Sequence, residues 1–433
     1  MRRLKSWVPR KAFSIINDLE KFIKVYYCRL EIFLLGMIHF KYVLACLCLV
    51  FVIVQCKNTT IRGEPSYLTF ATFNVSMESE NYLGRNADSV SSQILIEELS
   101  KGTSQHSINI AKIIQTKRPD VILLNEFDYI ENPEEGIEKF IKGYLNLAQV
   151  DTEAIDYPYY YYSTFNTGIQ TPFDFNGDGK FEGNGNDAYG YGRYPGHYGM
   201  VLLSKFPIDK ENIRTFKLFK WKDMPDHLKT STVDGDNFYS PEAWQKFRLS
   251  SKSHWDVPIK FGDKTIHVLA SHPTPPGFDG EEDRNGKRNH DEIRFWRDYI
   301  DNEDGSYIYD DLGEKGALGD ISFVIMGDLN SSPDEGSSIR SGIGDLLNHP
   351  RVNHKFNPSS KGGELLSPTN KSGKYHTAFW KLRADYVLPS IDLNVVDHGV
   401  FWPVEGEALH DLMLDRKSSS DHRMVWIKIK AEE

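Results

Sequence analysis

The sequence predicts an α/β (α+β) fold in one domain that extends from Tyr67 to the C-terminus, residues 67–433. Short apolar runs of strand type alternate along the chain with segments of helical periodicity, and no composition break of the linker type divides them. The chain has 433 residues, of which 40% are hydrophobic, which is enough for a sizeable core and excludes intrinsic disorder.

The individual elements follow from local composition. The run YLTFATFNV at 67–75 is rich in β-branched and aromatic residues and predicts a strand. Apolar residues at helical spacing follow from Ile108 to Ile114, and Pro119 ends that helix. Further strands are predicted at 120–125, 159–162, 198–204, 265–270, 321–326, 385–388 and 425–429, and further helices near 134–147 and 290–300.

Two polar insertions, 173–198 and 272–290, are predicted to be long loops. Loops of this length in a compact domain are usually functional or disordered.

The N-terminal segment 1–56 predicts export. The apolar run YVLACLCLVFVIV is too short for a comfortable transmembrane helix but fits a secretory signal, especially if translation starts at Met37. Cys56 ends this segment as the lipidated cysteine of a lipoprotein does, and residues 57–66 would form a tether. The alternative is an uncleaved anchor with a short cytoplasmic tail. We expect a cell-envelope location (a lipid-anchored periplasmic or cell-surface protein) or an extracellular one.

Cysteine usage and charge limit the chemistry. All four cysteines lie at or before Cys56, so cysteine nucleophiles and thiolate zinc sites are excluded for residues 57–433. Residues 1–56 hold 9 of the 51 Lys and Arg residues and 3 of the 61 Asp and Glu residues, which leaves a net charge of −16 on the remainder. This acidity favours a small phosphorylated substrate over a long polyanion.

Polar side chains stand at the ends of several predicted strands, where a core would not select them. Each alone is often a turn residue or a helix N-cap. Together they form a set of carboxylates, amides and histidines: Asn74, Glu126, His272, Asp328, Asn330, Asp385, Asp421 and His422. Carboxylate and amide oxygens suit Mg²⁺, Mn²⁺ or Ca²⁺, and histidines add proton transfer. Such a set predicts metal-assisted attack of water on a phosphate ester.

The order of this set, with its GDLN and SDH blocks, resembles the DNase I-like endonuclease/exonuclease/phosphatase superfamily. The blocks NEFDY and HPTPPGFDGEEDRNGKRNHDEIRFW resemble those of exported bacterial members. The resemblance implies a four-layer sandwich of two packed β-sheets flanked by helices.

The resemblance also implies roles for the site residues. A divalent cation, Mg²⁺ or Mn²⁺, would be held by Glu126 and Asn74 with Asp421. Asp328 would orient or deprotonate the attacking water, and Asn330 would hold the phosphate or that water. His422 would stabilise the transition state, and Asp385 would orient His422. His272 would be a second hydrogen-bond donor, to the phosphate or the leaving group. The His422–Asp385 pair is also expected without the resemblance, because a neighbouring carboxylate fixes the tautomer and charge of an imidazole.

The two insertions add candidate binding residues. Asp174, Asn176 and Asp178 open an EF-hand-like motif with Glu182 nearby, so the loop predicts either a structural Ca²⁺ site or a cluster of Asx turns. In the second insertion, Arg284, Arg288 and His290 form a positive cluster that is either a phosphate clamp or a solvated helix entry.

These observations predict an exported, monomeric, metal-dependent phosphoesterase acting on a small phosphorylated molecule. One alternative is an extracellular nuclease acting on DNA or RNA. Another is a surface-anchored binding lipoprotein that retains the fold but not catalysis.

Overall fold

The computed structural model describes Lys21 and residues 67–431. This part of the chain contains eleven strands: β1 (Tyr67–Met77), β2 (Val121–Phe127), β3 (Tyr159–Tyr161), β4 (Met200–Ser204), β5 (Arg214–Thr215), β6 (His254–Phe261), β7 (Lys264–Ser271), β8 (Phe323–Asp328), β9 (Asp385–Pro389), β10 (Val395–Val400) and β11 (Val425–Lys430). They form a six-stranded sheet in the order β10–β11–β1–β2–β4–β3 and a five-stranded sheet in the order β5–β6–β7–β8–β9.

The α-helices of the described region are α1 (Ser79–Leu83), α2 (Gln93–Ser100), α3 (Gln105–Lys117), α4 (Ile137–Phe140), α5 (Pro241–Lys246), α6 (Arg284–Tyr299), α7 (Ser341–Leu347) and α8 (Lys361–Leu366). A π-helical turn (Ile141–Leu145) continues α4. Helix α6 begins within the insertion that was expected to be a loop. Its first half lacks apolar periodicity because polar side chains such as Arg288 and Glu292 are buried there.

The two sheets pack face to face, and helices cover their outer faces. In β8, Val324 and Met326 join the core that contains the first sheet, whereas Phe323 and Ile325 join a second core with Trp296 of α6. Successive side chains of a strand point to opposite faces, so β8 is buried on both faces. Helix α3 packs with the first sheet. The predicted four-layer sandwich is therefore confirmed.

Strand direction brings the predicted site residues to one end of the sandwich. β1 is parallel to β2, and β7 is parallel to β8, so the carboxyl ends of each pair meet. β9 is antiparallel to β8, and its first residue, Asp385, is in register with the last residue of β8, Asp328.

Strands β5, β6 and β10 were not predicted from the sequence. Pro258 lies within β6, and the buried pattern of this strand lacks the alternation that marks a half-exposed strand. Pro258 has no N–H to donate to a neighbouring strand. It is tolerated because β5, which adjoins β6 on one side, pairs only with Trp255 and Asp256.

Within the described residues, no helix combines the length and the apolar character needed to cross a membrane. The predicted signal segment 1–56, Met37 and Cys56 lie outside those residues, as does the tether 57–66.

Candidate active site

Asp328, the last residue of β8, lies at the centre of a buried cluster of polar side chains. Its carboxylate oxygen Oδ2 accepts a hydrogen bond from Asn74 Nδ2 at 3.2 Å. The same oxygen lies 3.4 Å from His272 Nε2 and 3.5 Å from His422 Nε2. One carboxylate thus joins residues from both sheets. Burial raises the pKa of Asp328, and the neighbouring His422 opposes that rise only in part.

His422 is held between two carboxylates. Its Nδ1 lies 2.9 Å from Oδ2 of Asp385, and Thr377 Oγ1 donates to that same oxygen at 2.7 Å. Burial lowers the pKa of His422, but Asp385 and Asp328 outweigh burial and raise it well above its ordinary value. The two carboxylates therefore favour the protonated imidazole.

His272 follows β7 directly and has the opposite electrostatic character. Burial lowers its pKa well below the ordinary value, and the positive charges of Lys252 and His422 lower it further. Its Nδ1 is buried without a hydrogen-bond partner among the described residues. The cluster therefore pairs a cationic imidazole with a neutral one.

A second group of carboxylates surrounds Arg416, next to this cluster. The guanidinium lies 3.0 Å from Glu78 Oε1, 3.4 Å from Glu126 Oε2 and 3.3 Å from Asp421 Oδ2. Burial raises the pKa of Glu78 to about 7, against the attraction of Arg416. The three carboxylates bring negative charge close together, and a bound cation would offset that charge.

The backbone is strained at two predicted site residues. Glu126 has φ 55° and Asn330 has φ 52°, in the left-handed region that residues other than glycine seldom adopt. Asn330 is fixed by two hydrogen bonds, from its backbone N to Asp328 Oδ1 at 3.1 Å and from its Nδ2 to Pro273 O at 3.2 Å. Both side chains line a common cavity.

That cavity has a volume of 1360 Å³ and opens above the cluster. Of the predicted residues, Glu126, His272, Asp328, Asn330, Asp421 and His422 line it, while Asn74 and Asp385 are buried and do not line it. The aromatic residues Phe175, Tyr239 and Phe247 form part of the same wall. The cavity is therefore larger than a phosphate needs and has an apolar side.

The predicted phosphate clamp is only partly assembled. Arg288 lines the cavity, but its guanidinium donates to the carbonyl oxygens of Leu249 at 2.8 Å, Tyr189 at 2.6 Å and Arg248 at 3.1 Å. Arg284 also lines the cavity but pairs with Glu282.

His290 is not brought to the cavity. It is buried against Gly342 of α7, and its Nδ1 lies 2.8 Å from Asp291 Oδ1. The helical course of this segment turns His290 away from the positive cluster that its sequence position suggested.

The residues of the predicted calcium loop lie near the surface. Asp174 accepts hydrogen bonds from the backbone amides of Gly177, Asp178 and Gly179, at 2.6, 3.2 and 2.8 Å, which is the Asx-turn arrangement. In the described region, the clusters with metal-ligand spacing are Glu78–Glu80–His197 and Asp328–Asp385–His422, and neither includes Asp174, Asn176, Asp178 or Glu182. The calcium site stays a prediction.

Among the cavity residues that were not predicted from the sequence, Glu78, Lys252 and Arg416 are charged groups next to the centre or its carboxylates. Glu78 directly follows β1, so the rule that selected Asn74 applied to it as well. Lys252 lies between serines just before β6, and Arg416 lies in an irregular segment. No motif marks either residue.

The donor chemistry of the site fits a divalent cation. Glu126 and Asp421 offer carboxylate oxygens to the cavity, and the buried amide of Asn74 offers an oxygen, Oδ1, that accepts from Ser76 N at 3.2 Å. Hard oxygen donors of this kind suit Mg²⁺ or Mn²⁺. The position of Arg416 among the carboxylates shows that this part of the site attracts positive charge.

The fold and the cluster define an α/β sandwich protein with a carboxylate–histidine centre at one end of two packed sheets. Residues 71–422 match the Endonuclease/Exonuclease/phosphatase family, and the chain belongs to that family. Members of this family are hydrolases that act on phosphate esters. No curated protein matches the chain.

Several solved structures resemble the chain. An endonuclease/exonuclease/phosphatase from Beutenbergia cavernae DSM 12333 has 15% identity and a TM-score of 0.43, covering 84% of this chain and 71% of that one. A mutant of beta toxin from Staphylococcus aureus with bound magnesium ions has 16% identity and a TM-score of 0.39, with 85% and 100% covered. The human Nocturnin catalytic domain has 14% identity and a TM-score of 0.39, with 84% and 97% covered.

Proposed function

We propose that the chain is a divalent-metal-dependent phosphoesterase that hydrolyses an ester bond of a small phosphorylated molecule by attack of water. The observation that supports this most directly is the convergence of Asn74, His272 and His422 on one oxygen of Asp328, beside a large cavity.

The cation, Mg²⁺ or Mn²⁺, would be held by Glu126 and Asp421 with Asn74. When bound, it would offset the negative charge of the phosphoryl group and polarise its oxygens. Asn74 would serve two purposes, since its Nδ2 also fixes the carboxylate of Asp328.

The side chains of the cluster have complementary tasks in this proposal. Asp328, whose pKa burial raises, accepts the proton of the attacking water. His422, held as a cation by Asp385, donates from Nε2 to a phosphoryl oxygen and stabilises the charge of the transition state. His272 is neutral and donates a second hydrogen bond to the phosphate or the leaving group. Asn330 orients the phosphate or the water.

A small substrate is favoured by charge and shape. Residues 57–433 carry a net charge of −16, and carboxylates of Glu78, Glu80 and Glu335 line the cavity. Cationic side chains such as Lys252, Arg288 and Arg416 also line the cavity, so it is the overall negative charge that disfavours a long polyanion. The aromatic wall offers a contact for an apolar or ring-containing portion of the substrate.

The test is hydrolysis by the full chain with Mg²⁺ of a phosphomonoester, a phosphodiester and double-stranded DNA. Asp328→Asn should abolish turnover, and Asp236→Asn, which alters an exposed carboxylate, should not. Turnover of a small ester without DNA cleavage supports the proposal. DNA cleavage that Asp328→Asn removes would make the protein a nuclease instead. No turnover of any substrate would contradict the proposal.

We also propose that the protein is exported and anchored by a lipid at Cys56, on the basis of the apolar run that precedes this residue. Expression of the full chain in a bacterium should give a mature form that begins at Cys56 and carries acyl chains. Cys56→Ala should remain unprocessed and unlipidated by mass spectrometry. An intact N-terminus in both forms would favour the uncleaved anchor.

A further inference from the structure

Lys252 enters the cavity from a rigid segment just before β6. The residue is 6% exposed. Its carbonyl oxygen accepts from Asn166 N at 3.0 Å, and Ser251 N donates to Glu292 Oε1 at 2.5 Å. A Cβ atom on Gly190 would lie 1.8 Å from Ser251 O, so the neighbouring backbone approaches this segment closely. The backbone at Lys252 is therefore held in place by its surroundings.

The ammonium group of Lys252 has no partner of its own in the described part of the chain. No hydrogen bond, and no carboxylate oxygen within 4.0 Å, reaches its Nζ there, although Glu292, Glu126 and Asp328 are the acidic groups that surround it. Glu292 accepts from the amides of Ser251 and Thr274, at 2.5 and 2.6 Å. The carboxylate of Asp328 faces Asn74 and the histidines. The nearby carboxylates are thus engaged elsewhere.

Burial removes part of the hydration of the Lys252 ammonium group, which is costly for a cation without a carboxylate partner. Lys252 lines the same cavity as Asp328 and the aromatic residues Phe175, Tyr239 and Phe247. An anion in the cavity would supply the missing partner. A phosphoryl oxygen suits a lysine well, since the ammonium group acts as a compact point charge with three donors.

We infer that Lys252 is an anion-binding residue of this cavity, and that its ammonium group donates to a non-bridging oxygen of the substrate's phosphoryl group. This inference rests on the proposed function, because it assigns a contact to the same substrate. It also gives the substrate a cation from the segment that precedes β6, in addition to the residues of the Asp328 centre.

Because the phosphoryl group is negative both before and during reaction, the contact should support binding more than turnover. Lys252→Met, which removes the charge but keeps an unbranched side chain, should raise the dissociation constant of inorganic phosphate by about 10- to 100-fold. KM should rise by a similar factor, with a smaller change in kcat. Lys252→Arg should restore part of the affinity.

The experiment is calorimetric titration of the full chain with inorganic phosphate, with Mg²⁺ present, for the wild type and both Lys252 variants. Lys381→Met is the matched control, since Lys381 is an exposed lysine at the same cavity. Its effect should stay below about twofold, because solvent screens its charge. Equal losses in Lys252→Met and Lys381→Met would overturn the inference, as would wild-type affinity in Lys252→Met or no phosphate binding by the wild type.

Thermal unfolding without phosphate separates binding from a structural role. Removal of an unpaired buried charge should leave the melting temperature of Lys252→Met unchanged or raise it. A clear fall would mean that Lys252 stabilises the fold, and would count against the inference. Phosphate binding does not require turnover. If no ester is hydrolysed but phosphate binding depends on Lys252, the proposed function fails and the anion site stands. If an ester is hydrolysed but Lys252→Met binds phosphate as the wild type does, the proposed function stands and the anion site fails.

Discussion

The imidazole Nδ1 of His422 lies 2.9 Å from the carboxylate Oδ2 of Asp385, and both side chains are buried. Asp385 is in register with Asp328 across β8 and β9, so the two carboxylates stand on either side of one imidazole. This relationship fixes the charge of His422 and directs its Nε2 towards the carboxylate that the proposal makes the base.

Asp385→Asn should lower kcat by about 10²- to 10³-fold, because an amide cannot hold His422 as a cation or fix its tautomer. Magnesium affinity should change little, since the carboxylate oxygen Oδ2 of Asp385 is already engaged by His422 Nδ1 and Thr377 Oγ1. Steady-state kinetics and a magnesium titration together check this. A loss of metal affinity as large as the loss of kcat would place Asp385 in the metal site instead.

Glu126→Gln should abolish activity and weaken magnesium binding by at least about tenfold, because the metal would lose a charged oxygen ligand. Glu335→Gln is the matched control, since Glu335 is another carboxylate of the cavity that accepts instead from His376 Nε2 at 2.9 Å. Calorimetry with Mg²⁺ should distinguish the two variants, and circular dichroism should show both folded. Wild-type magnesium affinity in Glu126→Gln would contradict the metal assignment.

Arg416→Gln should lower the stability of the metal-free protein by about 1–3 kcal/mol, because Glu78, Glu126 and Asp421 would lose their shared cation. Magnesium should then raise the melting temperature of this variant more than that of the wild type, since the metal no longer competes with the guanidinium. Thermal unfolding with EDTA and with Mg²⁺ measures both effects. Equal magnesium shifts in the two proteins would mean that the metal and Arg416 do not share ligands.

His254 should make stability fall in mild acid. Its Nε2 donates to Glu292 O at 2.8 Å, and burial lowers its pKa from 6.5 to about 4. Between those values the unfolded chain binds a proton that the folded chain does not. The stabilisation is therefore complete above pH 6.5 and declines as the pH falls towards 4, by roughly 3 kcal/mol in all.

The measurement is urea unfolding of the wild type and His254→Asn from pH 4 to pH 8. The variant should lose less stability over this range, and His354→Asn, which alters an exposed histidine, should follow the wild type. Parallel curves for all three proteins would show that His254 does not titrate in this way.

The centre was predictable because its residues stand at or near strand ends. Asn74, Glu126, His272 and Asp328 each follow or end a short apolar run, and parallel strands bring such ends together. Local composition marks those runs, whereas the four-layer sandwich that brings them together was implied by the resemblance of the GDLN and SDH blocks to the superfamily. The roles of these residues stay predictions.

The remaining features depend on contacts that composition does not reveal. Arg288 and His290 were predicted to bind the substrate. In the structure, backbone carbonyl oxygens accept hydrogen bonds from Arg288, and Asp291 contacts His290. Lys252 and Arg416 lie in irregular segments without periodicity. Their places in the cavity arise from long-range packing, which a one-dimensional pattern does not encode.

The hydrogen bond from Asn74 to Asp328 joins the two sheets, since Asn74 belongs to β1 and Asp328 to β8. Neither sheet alone contains the whole centre. A partly folded form with both sheets intact but undocked would keep its secondary structure and lose the centre. As denaturant is added, turnover should therefore be lost before the backbone circular-dichroism signal, because turnover requires the two sheets to be docked.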